Sequence, residues 1–183
     1  MPSTGISIAA VSMVSVLAAG VLSCPVAAQP PPQAGEIPQS IRLEHENTLE
    51  QLTKLSKKHG PVGAEASKAL GLFKAHLQRE QEFILPPLSL LLQLADGNTS
   101  PDMKWAIAMA DRVKSERELT YQEHTKITDA MNALASVARK AHDAEALEFA
   151  QGAVADSLND VELLEPMSIV IGEYLKTKLG GSQ

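Results

Sequence analysis

Two stretches decide the fold: HLQREQEFILPP at 76–87 and DSLNDVELLEP at 156–166. Counted in steps of three and four, the second lies on a stripe of Phe149, Ala153, Asp156, Asp160, Leu163, Met167, Val170 and Tyr174. That is one face of a helix, and two carboxylates, Asp156 and Asp160, interrupt its apolar run. The first stretch has the same layout. Glu80 follows His76 by four residues and precedes Pro86 by six; Asp160 follows Asp156 by four and precedes Pro166 by six. Upstream, Glu44-His45 recurs as Glu123-His124, with 31 residues from His45 to His76 and 32 from His124 to Asp156. Four matched spacings predict a helical hairpin present in two copies.

The punctuation around these stretches agrees. Ile41, His45, Thr48, Leu52 and Leu55 share a face that ends at Lys57, Lys58, His59 and Gly60, a basic last turn followed by glycine. Pro61 suits the first turn of a second helix carrying Leu70, Phe73, Leu77, Ile84, Leu88 and Leu91. DGNTSPD, 96–102, is a loop in which Ser100 can cap a third helix opened by Pro101. The third helix runs through Trp105, Met109, Val113, Ile127, Met131, Leu134 and Ala138, and a break at 141–143 opens the fourth. The expected fold is all-α: an up-down-up-down antiparallel four-helix bundle over residues 38–179, built from two repeated hairpins. Pro86 and Pro166 should kink their helices or mark breaks. The third helix must overhang or be irregular near KSERE, 114–118, because the two hairpins differ in length.

Composition fits this reading. The 183 residues are 44% hydrophobic and 3% aromatic, with no strand pattern after residue 28. A formal charge of -6 argues against nucleic acid as a partner, because phosphate binding needs a basic surface. From Met1 to Gln29 there is no charged side chain, and an apolar run leads to Val26-Ala27-Ala28. This predicts a signal peptide over 1–28 and a periplasmic or secreted protein. An uncleaved anchor and a lipid on Cys24 are the alternatives. Cys24 is the sole cysteine, so the exported chain would have no disulfide. Residues 29–37 read as a Pro-rich linker.

The repeat has a geometric consequence. His45 lies 15 residues before the turn at Gly60 and His76 lies 16 after it. In an antiparallel hairpin both then sit roughly 23 Å from the turn at 1.5 Å per residue. Residues four apart share a helix face, so Glu80 joins His76, and Asp160 joins Asp156. Six polar side chains should meet at one level: His45, His76, Glu80, His124, Asp156 and Asp160. No Lys or Arg falls on the inward stripes at that height. Buried carboxylates are costly unless paired or bound to metal. Imidazole mixed with carboxylate suits iron, zinc or manganese.

LEHENTL, HLQREQEFILPPL and QEHTKI resemble the hemerythrin, or HHE cation-binding, family over roughly residues 38–176. By its motifs, His45, His76, Glu80 and His124 match the family's metal-binding positions. Asp156 stands where the family has His, and Asp160 where it has Glu or Asp. The resemblance implies a non-haem di-iron centre and a small ligand such as oxygen or nitric oxide, or a role in iron handling. It points to a binding protein more than to an enzyme, and no catalytic residue is predicted. Two other readings of the same residues stay open. One is a mononuclear site on His45, His76 and Glu80. The other is a metal-free bundle acting as an interaction or structural protein.

The remaining residues are expected in lesser roles. Glu44 and Glu123 either support the ligand histidines or lie on an exposed face. Tyr121 should pack or line the site, and Tyr174, Trp105 and the methionines should fill the core. His59 and His142 should sit at helix C-termini. The chain lacks Cys-x-x-Cys-His, Glu-x-x-His, a Gly-rich phosphate loop, G-x-S-x-G and H-E-x-x-H. Those absences leave haem attachment, a ferritin-like site and a hydrolase unsupported.

Overall fold

The computed structural model describes residues 35–180. The predicted signal peptide, Cys24 and most of the Pro-rich linker lie outside the described residues. Among those residues the chain is all-helical, with no strand. The long elements are α1 (Gln39–Ser56), α2 (Pro61–Arg79), α3 (Leu91–Ala95), α4 (Trp105–Lys140), α5 (Ala144–Asn159) and α6 (Glu165–Gly180). Between α2 and α3 lie a π-turn, Glu80–Ile84, and a 3-10 turn, Pro86–Leu90. A second π-turn, Asp160–Leu164, joins α5 to α6. Helical structure thus falls into four consecutive stretches, with turns at 57–60, 96–100 and 141–143.

The turns form for local reasons. Gly63 is required where α2 starts, because a Cβ there would lie 1.7 Å from the Lys58 carbonyl oxygen. The Ser100 hydroxyl accepts from the Asp102 amide at 3.3 Å, and Pro101 opens a short 3-10 turn ahead of α4. Past α4, His142 takes φ 54, and the Asp143 amide donates to the Ala138 carbonyl at 2.9 Å. This is a helix stop of the Schellman kind, with histidine at the left-handed position that glycine usually fills. Asp143 then caps α5 through the Ala146 amide at 3.2 Å. Lys58 reaches Asp143 at 2.7 Å and Glu145 at 3.3 Å, and Lys54 also pairs with Glu145, so the α1–α2 turn is pinned to the α4–α5 turn.

The two π-turns are the features the helical count could not anticipate. Each begins at a carboxylate, Glu80 or Asp160, and ends just before the segment containing Pro86 or Pro166. In each, the amide after the turn bonds back five residues: Leu85 to Glu80, at 2.9 Å, and Glu165 to Asp160. Proline cannot donate the regular bond, and its ring collides with the carbonyl four residues back. Widening the preceding turn by one residue relieves both problems. The prolines therefore mark breaks, as expected. The repeat also extends into the backbone: the same rare turn occurs at the same place in both halves. The Ile84 carbonyl, released by the irregular geometry, accepts from the Ser168 hydroxyl on α6 at 2.5 Å.

The extra residue turns the predicted face beyond Asp160, while upstream of it α5 packs Ala146, Ala150, Ala153 and Ser157 inward in place of Phe149 and Asp156. The buried residues of the last stretch are Ala146, Ala150, Ala153, Ser157 and Asp160, then Glu165, Ser168, Ile171, Gly172 and Leu175. Leu163 and Val170, expected inside, are exposed at 55% and 64%. Asp156 is exposed too, and Phe149, Met167 and Tyr174 are half-buried. The face turned inward on α5 is a row of small residues, which lets the helix backbone approach α4 closely. The same holds on α6, where a Cβ on Gly172 would come within 2.3 Å of the Ala110 Cβ.

Helix α4 packs against α2, α5 and α6, and α1 packs chiefly on α2. Helix α4 runs unbroken from Trp105 to Lys140, so no irregularity falls at 114–118. Two apolar clusters flank the middle of the molecule. One gathers Leu52, Leu55, Phe73, Leu77, Ile127, Met131 and Leu134 with the α5 alanines. The other gathers Phe83, Ile84, Leu85, Leu88, Val113, Ile171 and Leu175. Met131 and Met103 are core residues as expected, while Trp105 is only half-buried and Tyr121 is 56% exposed, neither packed nor lining the site. The level between the clusters is polar.

Candidate metal centre

Five of the six predicted donors are buried at that polar level. His45 comes from α1, His76 from α2, Glu80 from the head of the first π-turn, His124 from α4, and Asp160 from the head of the second π-turn. None is more than 6% exposed. They form two groups: His76, Glu80 and His124, and His45, Glu80 and Asp160, each with donor atoms within 4.8 Å of one another. Glu80 belongs to both. Asp156 belongs to neither. It lies with Glu44 along a small cavity that also touches His45, Phe73, His76, His124 and Asp160. The cavity holds about 20 Å³, room for one water-sized molecule.

The donors are held from behind. His76 donates from Nδ1 to Glu123 Oε2 at 3.1 Å, which leaves Nε2 directed at Glu80 Oε1, 3.0 Å away. His124 meets the Ser157 hydroxyl through Nδ1 at 2.9 Å and turns Nε2 toward Glu165 Oε1 at 3.1 Å. The two rings are edge-to-face at 4.1 Å. His45 packs edge-on against Phe73, with Nδ1 at 3.7 Å from Glu80 Oε2. Glu123 is itself anchored by Arg79 Nε at 3.1 Å, and Arg79 continues to Glu116 at 2.7 Å. Arg79 is thus a cation near the site height, but it faces Glu123 on the outer side of His76. Of Glu44 and Glu123, Glu123 is hydrogen-bonded to His76, while Glu44 lies half-buried on the cavity wall.

The inner atoms lack hydrogen bonds. Nε2 of His45, His76 and His124, both oxygens of Glu80, Oδ1 of Asp160 and Oε1 of Glu165 are buried without a hydrogen-bond partner among the described residues. The His76–Glu80 and His124–Glu165 contacts, at 3.0 and 3.1 Å, are ion-pair distances whose angles fall outside hydrogen-bond geometry. Such atoms normally carry a penalty of about 1–3 kcal/mol each. Two ligands about 2.1 Å from an ion at a right angle would themselves stand about 3 Å apart. The residues present fit a metal ion through mixed imidazole and carboxylate donors.

Electrostatics describes the same cluster when protons take the place of metal. Burial draws the His45 imidazole below its ordinary value, leaving it neutral with a free lone pair. Burial also opposes charge on His76, but its contacts with Glu80 and Glu123 outweigh that and raise it to about 9. Glu80 is held below the usual carboxylate range: burial pushes it up, and His76, His45 and His124 more than offset this. Asp160 is pushed up to about 9 by burial and then by the charges of Glu80 and Glu44. Glu44 is raised by burial and by Asp156 and Glu80.

Glu165, Ser157 and Arg79 escape a reading of the sequence. Ser157 and Arg79 each lie beside a predicted donor, at positions where a polar residue is as common on a solvated face. Glu165 is masked by the π-turn, since regular helical counting turns it outward. No family model, no curated protein and no solved structure matches the chain.

Proposed function

We propose that this chain is an exported, hemerythrin-like metal-binding protein: an antiparallel up-down-up-down four-helix bundle with a two-iron centre in its middle. The observation that carries this reading is the pair of buried donor groups sharing Glu80, with donor atoms that find no hydrogen bond. Glu80 turns one oxygen toward His76 and the other toward His45, so it would serve both groups. His76, Glu80 and His124 would hold one ion, and His45, Glu80 and Asp160 the other. Bound iron would supply a redox-active centre able to bind a small ligand such as oxygen or nitric oxide. The chain holds the donors in place through Glu123 and Ser157 and leaves a water-sized cavity beside His45 and His124. The function is binding of such a ligand or handling of iron, outside the cytoplasm.

Metal analysis tests this on the full chain purified after anaerobic loading with ferrous iron. About two iron ions per chain are expected, with loss of metal in His76→Ala. Well under one ion per chain, unchanged by His76→Ala, would overturn the proposal. Parallel loading with zinc and manganese reports which ion the donor set prefers.

A further inference from the structure

The last helical stretch has four acidic residues near the centre, and their surroundings differ sharply; Glu162 is exposed. Asp156 is exposed and belongs to neither donor group. Asp160 is a member of one group. Glu165 is 3% exposed, with Oε1 at 3.1 Å from His124 Nε2 and no hydrogen bond to that oxygen. Among the described residues no Lys or Arg side chain pairs with it. Nothing in the packing calls for a carboxylate there. The equivalent residue of the first half, also the one that closes a π-turn, is Leu85, fully buried in an apolar cluster. The fold accepts a hydrocarbon at this position, and the second half carries a charged group instead.

The π-turn is what makes the placement possible. Five residues in an i→i+5 turn make about one full turn, so Asp160 and Glu165 share a face. In a regular helix they would diverge. We propose that Glu165, and not Asp156, supplies the last stretch's ligand to the metal held by His76, Glu80 and His124. The inference rests on the metal-binding reading above and adds to it a donor that the repeat spacing does not contain. The acidic side chain of Asp156 stays at the cavity wall beside Glu44.

The test uses the full chain in four forms: unsubstituted, Glu165→Gln, Glu165→Leu and Asp156→Asn. Each is loaded anaerobically with ferrous iron, assayed for iron per chain, and then challenged with a graded chelator. Loss of the donor should remove one of about two irons, or lower the chelator concentration that strips half of it by at least about tenfold. Asp156→Asn should match the unsubstituted chain. Glu165→Leu restores the Leu85 pattern, so its metal-free form should melt above the unsubstituted metal-free form, since a buried carboxylate whose Oε1 makes no hydrogen bond is gone. That melt also reports that the variant folds. Iron retention by Glu165→Gln with unchanged chelator resistance overturns the assignment while leaving the two-iron reading intact. Iron loss in Asp156→Asn alone overturns it as well. An unsubstituted chain that binds no iron removes both readings together.

Discussion

Glu123 sits behind His76 and decides which imidazole nitrogen carries the proton. By accepting from Nδ1 at 3.1 Å it reserves Nε2 for the interior. Partners of this kind typically contribute about 10- to 100-fold to metal affinity. Glu123→Ala is therefore expected to weaken iron binding by about that factor without abolishing it, measured by competition with a chromophoric chelator. Binding unchanged in that variant would remove Glu123 from the site. Protonation sets a second expectation. His76 is raised to about 9 in the folded chain from an ordinary 6.5, so its contribution to stability is full below 6.5 and is lost as pH rises through 9. Asp160 keeps its proton up to about 9 when folded, while the unfolded chain loses it near 3.8, so burying it costs progressively more across that interval. Both effects have the same sign between pH 7 and 9, where His45 is neutral whether folded or not. Metal-free protein should thus unfold at lower denaturant concentration at pH 9 than at pH 7. Metal competes with the same protons, so iron affinity should rise over that range, with protons released on binding at pH 7. Equal denaturation midpoints and no proton release would contradict the assignment.

At the scale of elements, the close approach of α4 and α6 depends on Gly172. A methyl group there meets the Ala110 Cβ at 2.3 Å, so the helices must part or shift. Gly172→Ala should destabilise the fold by about 1–3 kcal/mol, the usual cost of forcing volume into a packed interface, read from urea denaturation. Stabilisation through the better helix propensity of alanine would show that the interface gives way. The same helices show how far a sequence can be read. Residues 45, 76, 80, 124 and 160 were legible because side chains that meet at one level of paired helices must keep their spacing, and a repeat makes that spacing visible twice. The helix boundaries at Gly60, Ser100 and 141–143 were legible from turn chemistry. Everything after Asp160 was read one residue out of register, because counting at 3.6 residues per turn has no place for a π-turn. Leu163 and Val170 therefore went from expected core to surface, and Glu165 from unnoticed to buried. Proline at 86 and 166 signalled a break without saying whether the helix would bend, stop or widen.

For the whole molecule, the polar level is a cost that metal would offset. Seven buried donor atoms of the cluster, on His45, His76, Glu80, His124, Asp160 and Glu165, find no hydrogen bond. The apolar clusters on either side must sustain the fold without metal. Ligation stabilises the native state by the amount set by free metal relative to its dissociation constant, about 2.7 kcal/mol at a hundredfold excess. Loading with iron is expected to raise the melting temperature by several degrees, and a chelator should reverse the rise. A melting temperature indifferent to both would mean that the donors do not share an ion.

Helix α4 threads all three levels: Ala106 and Val113 lie in one cluster, His124 in the polar layer, and Ile127 to Ala138 in the other. The other stretches cross the same polar seam: α1 through Ile41 and Leu52, the α2 stretch through Phe73 and Phe83, and the last through Ala153 and Ile171. Amide hydrogen exchange would then sort the metal-free chain into two protection classes, opening independently on either side of His124. Clamped from both sides by one shared carboxylate, the same backbone would exchange as a single unit. The seam thus makes mechanical unity of the molecule conditional on what it carries.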